Sequence, residues 1–471
     1  MKQLPTIKVA VVGHTNTGKT SLLRTLTRDV AFGEVSNRAA TTRHVEGTAL
    51  LVNGQPLIEL YDTPGLEDSI GLLELLDSLG EGRRMNGIEE IHRFLATPEA
   101  AGEFEQEAKS LRQLLSCHCA LYVIDARDRV LGKHQDELEI LGRSAKPVVP
   151  VLNFVASPEA RTAQWREHLA RVNMHAVVEF DTVVINEHGE RRLFEKMQTL
   201  LDAFRPTLEA VIEDHERQRA NLTRAAADLL ADLFLDVAAY RVMVPAEQPG
   251  QNPAAVESLK DRVRERERHC VNDLLELFRF RIDDYMAEAI PVEGGEWGLD
   301  LFSPAALRQF GIRAGGGAAA GAMAGLTVDA MLGGASLGAG AAIGAAFGAL
   351  FTTARNQGRR IAGRLRGFTE LRVDQPTLRL LLARQMELVQ VLLRRGHASQ
   401  EKIRLDVKRA GDQQRQTAEH LPELIDQARI NPHWSRLNQN GGDWEPDSGR
   451  EETQQQLAVL IAGALAEVAG R

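Results

Sequence analysis

The eight residues GHTNTGKT, from Gly13 to Thr20, have the types and the spacing that bind phosphate groups. They fit the pattern G-x-x-x-x-G-K-[ST] and follow a β-branched run from Ile7 to Gly13 that predicts a strand. In such a loop the backbone N–H groups surround the phosphates, and the start of the next helix adds positive potential. Lys19 is expected to reach the β- and γ-phosphates and Thr20 to bind Mg²⁺. The predicted phosphate-binding residues are Gly13, His14, Thr15, Asn16, Thr17, Gly18, Lys19, Thr20 and Ser21.

A second motif, DTPG, ends another predicted strand at Asp62 to Gly65. The carboxylate of Asp62 is expected to hold the Mg²⁺ shell, and the backbone N–H of Gly65 to contact a γ-phosphate. Between the two motifs lies RAATTRH, where a threonine is expected to complete the Mg²⁺ coordination. We assign that role to Thr42, with Thr41 as the alternative. These residues predict a site for a nucleoside triphosphate with Mg²⁺.

The combination of GHTNTGKT, AATTRH and DTPG resembles the Era and TrmE branch of bacterial GTPases over roughly residues 7–204. In its order of segments the whole chain also resembles a bacterial family that joins an Era-like G domain to a helical C-terminal domain of unknown function. The resemblance implies that the ligands are GTP and GDP and that the chain is a slow GTPase.

The resemblance also implies how hydrolysis is assisted. Asn16 matches the P-loop asparagine that binds a K⁺ ion in this branch, and the catalytic set is then Lys19, Thr42 and Asn16. The alternative for Asn16 is that it only caps its own loop. Leu66 stands where Ras-like proteins carry a catalytic glutamine, and an apolar side chain cannot orient the attacking water.

The base-recognition motif departs from the family pattern N-K-x-D. Asn153 is present and is expected to pack the nucleotide-binding loop and the base. Phe154 replaces the lysine, and Ala156 stands where the aspartate would accept hydrogen bonds from guanine. Asp181 is either a substitute acceptor or an ordinary loop aspartate. GTP as the ligand therefore rests on the resemblance.

Strand-like and helix-like runs alternate through the first two hundred residues, which predicts an α/β fold with a mostly parallel sheet and helices on both faces. Asn53-Gly54 predicts a hairpin between the second and third strands. We assign residues 1–205 to the G domain, 206–290 to a helical region and 291–471 to an all-α C-terminal domain. The predicted strands are Ile7 to Gly13, Val45 to Val52, Leu57 to Thr63, Ala120 to Ala126, Val148 to Phe154 and His175 to Phe180.

A helix-like insertion, residues 66–118, separates DTPG from the next core strand. Because it starts beside the segment that responds to hydrolysis, it is a candidate lid or partner contact. The alternative is a helical decoration packed on the domain.

The segment 314–354 consists almost entirely of small apolar residues. Glycines recur every four residues, so each series shares one helical face and predicts a close-packed glycine-zipper hairpin that breaks near Asp329. Basic residues flank both ends, which favours contact with an anionic membrane surface. The alternative is a hairpin buried in protein. The two glycine series are Gly317, Gly321 and Gly325, then Gly340, Gly344 and Gly348.

The composition narrows the function classes. The formal net charge is -9, which argues against nucleic acid as a partner. The chain has only three cysteines, and the start of the sequence lacks the apolar run of a signal peptide, so we expect a cytoplasmic protein or one on the inner face of the cytoplasmic membrane. The alternatives to a membrane- or protein-coupled switch are a GTPase linked to RNA, the ribosome or tRNA modification, and a nucleotide-gated scaffold with little turnover.

Overall fold

The computed structural model describes eleven stretches of the chain and divides into two compact units. The first unit comprises Met1–Ala220 and Leu393–Glu401, and the second comprises Asn221–Leu392 and Lys402–Arg471. One long helix, α8 (Arg205–Ala239), begins in the first unit and continues in the second. The described residues are 4–27, 46–80, 86–182, 187–245, 253–278, 292–293, 296–312, 325–329, 368–394, 413–439 and 444–469.

A six-stranded sheet, in the order β2-β3-β1-β4-β5-β6, forms the centre of the first unit. β2 and β3 are antiparallel, joined at Asn53-Gly54, and both turn residues have positive φ. All other pairs are parallel, so the predicted α/β fold and hairpin are confirmed. The strands are β1 (Ile7–Val12), β2 (Glu46–Val52), β3 (Gln55–Asp62), β4 (Cys119–Asp125), β5 (Val148–Asn153) and β6 (Val178–Glu179).

Helices cover both faces of this sheet because successive strand residues point to opposite sides. Val9 and Val11 of β1 belong to one apolar core, and Ala10 and Val12 belong to the other. Leu208 of α8 packs into the first of these cores, which is why the unit extends past residue 205. The helices before α8 are α1 (Lys19–Thr27), α2 (Ser69–Gly80), α3 (Gly87–Phe94), α4 (Glu105–Ser116), α5 (Gly132–Arg143), α6 (Thr162–Arg171) and α7 (Glu187–Leu200).

The second unit is mostly helical, as expected, but it also contains strands that the sequence analysis did not predict. A three-stranded antiparallel sheet has the order β10-β11-β7, and a two-residue ladder joins β8 to β9. The strands are β7 (Val242–Pro245), β8 (Val292–Glu293), β9 (Glu296–Trp297), β10 (Leu326–Asp329) and β11 (Phe368–Val373). The helices are α9 (Pro253–Leu277), α10 (Pro304–Gln309), α11 (Gln375–Arg394), α12 (Gln413–Ile430) and α13 (Ser448–Ala469).

A buried cluster of opposite charges connects the helices of the second unit. Asp236 of α8 is fully buried, and its Oδ2 lies 2.7 Å from Nε of Arg266 in α9. Asp232, one turn earlier, accepts a 2.5 Å hydrogen bond from Nη2 of Arg450 in α13. Because buried charges need partners, this cluster fixes the register of three helices at once.

One prediction for the small-residue segment is wrong where the structure describes it. Gly325 has φ of +80° and precedes a strand, so Gly325–Asp329 is not helical and Gly325 cannot complete a helical ladder. Phe302 lies so close to Gly325 that an added β-carbon would be 2.7 Å from its ring. The other glycines of the two predicted series lie outside the described residues.

Within the part of the chain that the structure describes, no helix has both the length and the apolar character needed to span a bilayer.

Candidate functional site

The phosphate-binding loop begins at the carboxyl end of β1, where β3 and β4 flank it on either side. In open α/β sheets this edge is where ligands bind. Gly18 has φ of +91°, and a β-carbon there would lie 2.3 Å from Nδ2 of Asn153. Only glycine fits at this position, and the loop therefore turns tightly into α1.

Lys19 is the first residue of α1 and lies inside the loop that precedes it. Its ammonium donates to the carbonyl oxygens of Gly13 at 3.1 Å and His14 at 2.9 Å. Burial lowers the pKa of Lys19, whereas the nearby charges of Asp62 and Glu137 act in the opposite direction. The cation is thus fixed at the mouth of a loop whose N–H groups are suited to phosphate.

Thr20 and Asp62 are brought together as the motifs predict. Oγ1 of Thr20 donates a 2.5 Å hydrogen bond to Oδ2 of Asp62, and the Asp62 side chain is buried at the end of β3. A hydroxyl and a carboxylate oxygen are the hard donors that Mg²⁺ prefers, so these residues fit the ion. Thr42 and Thr41 lie outside the described residues.

The DTPG segment lies against the phosphate-binding loop. Thr63 donates from Oγ1 to the carbonyl oxygen of Val11 at 2.7 Å. A β-carbon on Gly65 would meet Oγ1 of Thr15 at 2.7 Å, so glycine allows the two segments to touch. The Leu66 side chain is buried and therefore turned away from solvent.

The helical insertion holds this segment through residues that the sequence analysis missed. Oε1 of Glu107, in α4, accepts hydrogen bonds from the backbone N–H groups of Glu67 and Asp68, both at 3.1 Å. Oγ of Ser110, one turn later, donates to the carbonyl oxygen of Pro64 at 2.8 Å. Neither residue belongs to a sequence motif, because the contacts arise only when α4 folds beside the loop.

A second missed group lies under the phosphate-binding loop. Glu137 of α5 is fully buried, and its Oε1 lies 3.0 Å from Nδ1 of His14. Its Oε2 accepts a 2.6 Å hydrogen bond from the phenol of Tyr122. Burial raises the pKa of Tyr122 well above its ordinary value, so the phenol remains a donor. His14, predicted as a phosphate-loop residue, thereby connects the loop to α5.

Asn153 connects the loop to the end of β5, consistent with the packing role assigned to it. Its Nδ2 donates to the carbonyl oxygen of Thr17 at 3.0 Å, and its Oδ1 accepts from Oγ1 of Thr182 at 3.0 Å. Oδ2 of Asp181 accepts a 2.9 Å hydrogen bond from the backbone N–H of Ala156. Asp181 therefore anchors the loop that follows β5.

Phe154 and Arg127 form a stacked pair beside this loop. The Arg127 guanidinium carbon lies 4.1 Å from the centre of the Phe154 ring, a cation–π contact. Nη2 of Arg127 donates to Oδ2 of Asp125 at 2.6 Å, which fixes the guanidinium at the end of β4. Phe154 has φ of +58°, which is uncommon for a bulky residue.

The remaining predicted residues lie in the loop or at the start of α1. Asn16 is exposed and has φ of +64°, a conformation that asparagine tolerates. Thr17 is buried and donates from Oγ1 to the carbonyl oxygen of His14 at 3.0 Å. Ser21 lies in the first turn of α1, where its carbonyl oxygen accepts from Thr25.

Two solved structures are similar to part of the chain. Era in complex with MgGDPNP and nucleotides 1506-1542 of 16S ribosomal RNA is 19% identical, covering 38% of this chain and 52% of that one with a TM-score of 0.28. The G domain of the T. maritima FeoB iron transporter is also 19% identical, covering 41% of this chain and 100% of the domain with a TM-score of 0.24.

Curated relatives match about a third of the chain. The tRNA modification GTPase MnmE of Synechococcus elongatus is 28% identical over 144 residues, which is 30% of each chain. The MnmE of Lactobacillus delbrueckii subsp. bulgaricus is 31% identical over 144 residues, again 30% of each chain. The chain thus spans about a third of the length of these relatives.

Two family models match in succession along the chain. The model described as 50S ribosome-binding GTPase matches residues 8–154, the region that holds the P-loop, DTPG and Asn153. The model described as domain of unknown function (DUF3482) matches residues 166–459. Since that match covers more than half of the 471 residues, the chain belongs to the DUF3482 family, here with a P-loop GTPase domain at its start.

Proposed function

We propose that the chain is a Mg²⁺-dependent GTP hydrolase that turns over slowly and acts as a switch. The observation that carries this proposal is the convergence of Lys19, Thr20 and Asp62 at one edge of the sheet. The ammonium of Lys19 suits the β- and γ-phosphates, and the two oxygen donors suit Mg²⁺. Bound Mg²⁺ would neutralise phosphate charge, while Lys19 and the loop N–H groups bind and orient the phosphates.

The contacts of Gly65 support the switch. Gly65 touches Thr15 of the phosphate-binding loop, and the two residues after Leu66 are held by Glu107 of α4. A γ-phosphate that engages the N–H of Gly65 would order this segment, and hydrolysis would release it. The insertion from α2 to α4 then transmits the nucleotide state to a protein partner.

Replacement of Lys19 tests the site. We expect Lys19→Ala to lower GTP hydrolysis at least a hundredfold, because a preorganised cation is lost from the phosphates. Lys196→Ala, which removes an exposed lysine of α7, is the matched control and should hydrolyse GTP normally. Circular dichroism would verify that both variants are folded, and unchanged hydrolysis by folded Lys19→Ala would overturn the assignment.

K⁺ is the second ion of the proposal. The exposed amide of Asn16 lies in the loop beside the phosphate site and fits the oxygen ligand that the family resemblance implies. Hydrolysis should be faster in KCl than in NaCl, and Asn16→Ala should remove the difference. Equal rates in the two salts with the unaltered chain would refute the K⁺ role.

The second candidate function is a role linked to RNA or tRNA modification. It is favoured by the relatives named as tRNA modification GTPases and by the matching family described as 50S ribosome-binding. Against it stands the net charge of -9. Filter binding to total tRNA and to ribosomes at 50 and 200 mM KCl discriminates, because phosphate contacts weaken steeply with salt. Binding that depends on salt and on GTP would favour this candidate over the switch that acts on a protein.

Membrane contact through 314–354 is the remaining part of the proposal and rests on the sequence alone. The basic flanks of the segment suit an anionic cytoplasmic leaflet, so the protein would act in the cytoplasm or at that inner face. Carbonate-resistant fractionation of the full chain and of a variant that lacks residues 314–354 tests this membrane contact.

A single-turnover assay separates the switch from a scaffold that binds GTP without hydrolysing it.

A further inference from the structure

The sheet order determines where the base of a bound nucleotide must lie. Thr20 and Asp62 place the metal-binding end of the triphosphate beside β3. Because β3 and β4 lie on opposite sides of β1, the nucleoside extends the other way, over the ends of β4 and β5. Neighbouring strands are about 4.8 Å apart, so the end of β5 is roughly 10 Å from β1, within reach of a base.

Phe154 lies at this position, directly after the end of β5. A β-carbon on Gly18 would lie 3.3 Å from Cζ of Phe154. Its backbone N–H donates to Oδ1 of Asn153 at 2.9 Å, which holds the positive φ. A bulky residue kept in an unfavourable conformation is a marker of a functional position.

Arg127, two residues beyond the end of β4, supports the ring. Its guanidinium stacks on Phe154, and Asp125 binds the guanidinium through both carboxylate oxygens, with Nε to Oδ1 at 2.9 Å and Nη2 to Oδ2 at 2.6 Å. The three residues form a chain from the end of β4 to the edge of the phosphate-binding loop. An aromatic ring fixed in this way offers a surface for stacking to any purine.

The position at which the N-K-x-D motif reads the edge of the base carries no polar side chain in this chain. Ala156 provides only a methyl group where the N-K-x-D motif has its aspartate. The Asp181 carboxylate accepts from the N–H of Ala156 and is buried, with 6% of the residue exposed. Its position suits support of the loop rather than contact with a base.

We propose that Phe154, backed by Arg127, recognises the base of the nucleotide by stacking, so that the site accepts purine nucleoside triphosphates with little selectivity for guanine. The proposal rests on the proposed nucleotide site and adds its specificity. GTP, ITP and ATP then bind with similar affinity, since all three present a purine face to the same ring.

Calorimetry with GTP, ITP and ATP in the presence of Mg²⁺ tests the selectivity. We expect the three dissociation constants to agree within about tenfold, whereas a site that reads base hydrogen bonds rejects analogues by about 10⁴-fold or more. A preference for GTP over ATP above a hundredfold would overturn the proposal and leave the nucleotide site intact. Failure of all three to bind would instead refute the proposed function.

Substitution of the ring tests the stacking. Phe154→Asn removes the ring but keeps a residue type that tolerates positive φ, and it should weaken GTP and ATP alike by roughly tenfold. Phe154→Tyr keeps an aromatic ring and should restore most of the nucleotide affinity that Phe154→Asn loses. Inorganic triphosphate, which has no base, should bind Phe154→Asn and the unaltered chain equally. Loss of triphosphate binding in Phe154→Asn, or no loss of GTP binding, would contradict the role of the ring.

Two further variants test the role of the Phe154 ring even if Phe154→Asn does not fold. Arg127→Gln keeps the ring and should weaken all three nucleotides by about two- to fivefold. Phe154→Lys combined with Ala156→Asp restores the N-K-x-D pattern and should create a preference for GTP over ITP and ATP. A double variant as unselective as the unaltered chain, together with no effect of Arg127→Gln, would refute the proposal.

Discussion

His14 is held between two segments of the G domain by Glu137. Nδ1 of His14 lies 3.0 Å from Oε1 of Glu137 and 3.0 Å from the carbonyl oxygen of Leu66, in the segment that follows DTPG. The same Glu137 accepts from Tyr122 at 2.6 Å. His14, held by a buried carboxylate on α5, thus joins the phosphate-binding loop to the segment that follows DTPG.

Replacing Glu137 by glutamine is expected to weaken both stability and hydrolysis. The amide cannot accept from Tyr122 and His14 as a carboxylate does, so the free energy of unfolding should fall by about 1–3 kcal/mol. Because the carbonyl oxygen of His14 also holds Lys19, a shifted loop should lower kcat by roughly ten- to a hundredfold. Urea unfolding and a phosphate-release assay measure the two effects.

Tyr122→Phe is the control for Glu137. It removes one hydrogen bond to the carboxylate, at about 1 kcal/mol of stability, but leaves the contact between Glu137 and His14. Hydrolysis should stay close to the unaltered rate. If Tyr122→Phe and Glu137→Gln slow hydrolysis equally, the connection through His14 is not what positions the loop.

Glu107→Ala is expected to release the segment after Gly65. The substitution removes the acceptor that both the Glu67 and Asp68 N–H groups use, and hydrogen bonds to charged groups contribute about 1.5–3 kcal/mol each. Hydrogen exchange at residues 67–68 should therefore accelerate at least tenfold, as measured by mass spectrometry. Glu103→Ala, an exposed neighbour, should leave exchange unchanged. Normal protection in Glu107→Ala would show that α4 does not hold the segment.

The fold and the phosphate site of the first unit were predictable from sequence because their signals are local. The β-branched runs gave all six strands of the large sheet, and GHTNTGKT lies in the expected loop between β1 and α1. Asp62 meets Thr20 because the ends of parallel strands share one edge of the sheet. Motifs and strand patterns together suffice for such a site.

Contacts made between distant segments were not predictable. Glu107 and Glu137 come from helices far along the chain from the loops they hold, and on an isolated helix each resembles a solvated glutamate. The β10-β11-β7 sheet was missed because its strands have four to six residues, and β10 lies within a segment whose composition suggested a helix. In β10 the pairing with a distant strand outweighed the helical preference that the composition of the surrounding segment suggested.

The first unit is expected to lose stability as the pH falls below about 6.5. His134 accepts a 3.1 Å hydrogen bond from the backbone N–H of Leu131 on Nδ1, and burial lowers the pKa of His134. In the unfolded chain the imidazole of His134 takes up a proton near pH 6.5, whereas in the folded chain it does so only at lower pH. Between these two values the unfolded state holds more protons, so stability decreases as pH decreases.

Hydrogen exchange in α5 at pH 7.5 and 5.5, corrected for intrinsic rates, measures this loss. His134→Gln retains an acceptor for Leu131 but cannot take up the proton, so protection should fall less at pH 5.5 than in the unaltered chain. His92→Gln, at an exposed position, is the control. A pH dependence that is identical in His134→Gln would exclude His134 as its source.

Arg384 and Glu267 are expected to be strongly coupled in the second unit. Arg384 donates from Nε and Nη2 to the two oxygens of Glu267, and both side chains are buried. Gln385 adds a 2.7 Å hydrogen bond to the same carboxylate. Arg384→Met leaves this carboxylate buried without its cation and should lower the free energy of unfolding by about 3–5 kcal/mol.

A double-mutant cycle shows whether the ion pair itself stabilises the unit. Arg384→Met combined with Glu267→Leu removes both charges, and replacement of a buried pair by apolar groups is often neutral, so most of the loss should be recovered. Arg264→Ala, which breaks solvent-accessible pairs with Asp300, Asp261 and Glu257, should lower the free energy of unfolding by only about 1 kcal/mol. Urea unfolding, followed by hydrogen exchange in α9 and α11, gives the free energy of unfolding of the unaltered chain, the two single variants and the double variant. If the double variant is as unstable as Arg384→Met, the loss arises from packing against Trp297, whose ring centre lies 5.2 Å from the guanidinium, and not from the stranded carboxylate.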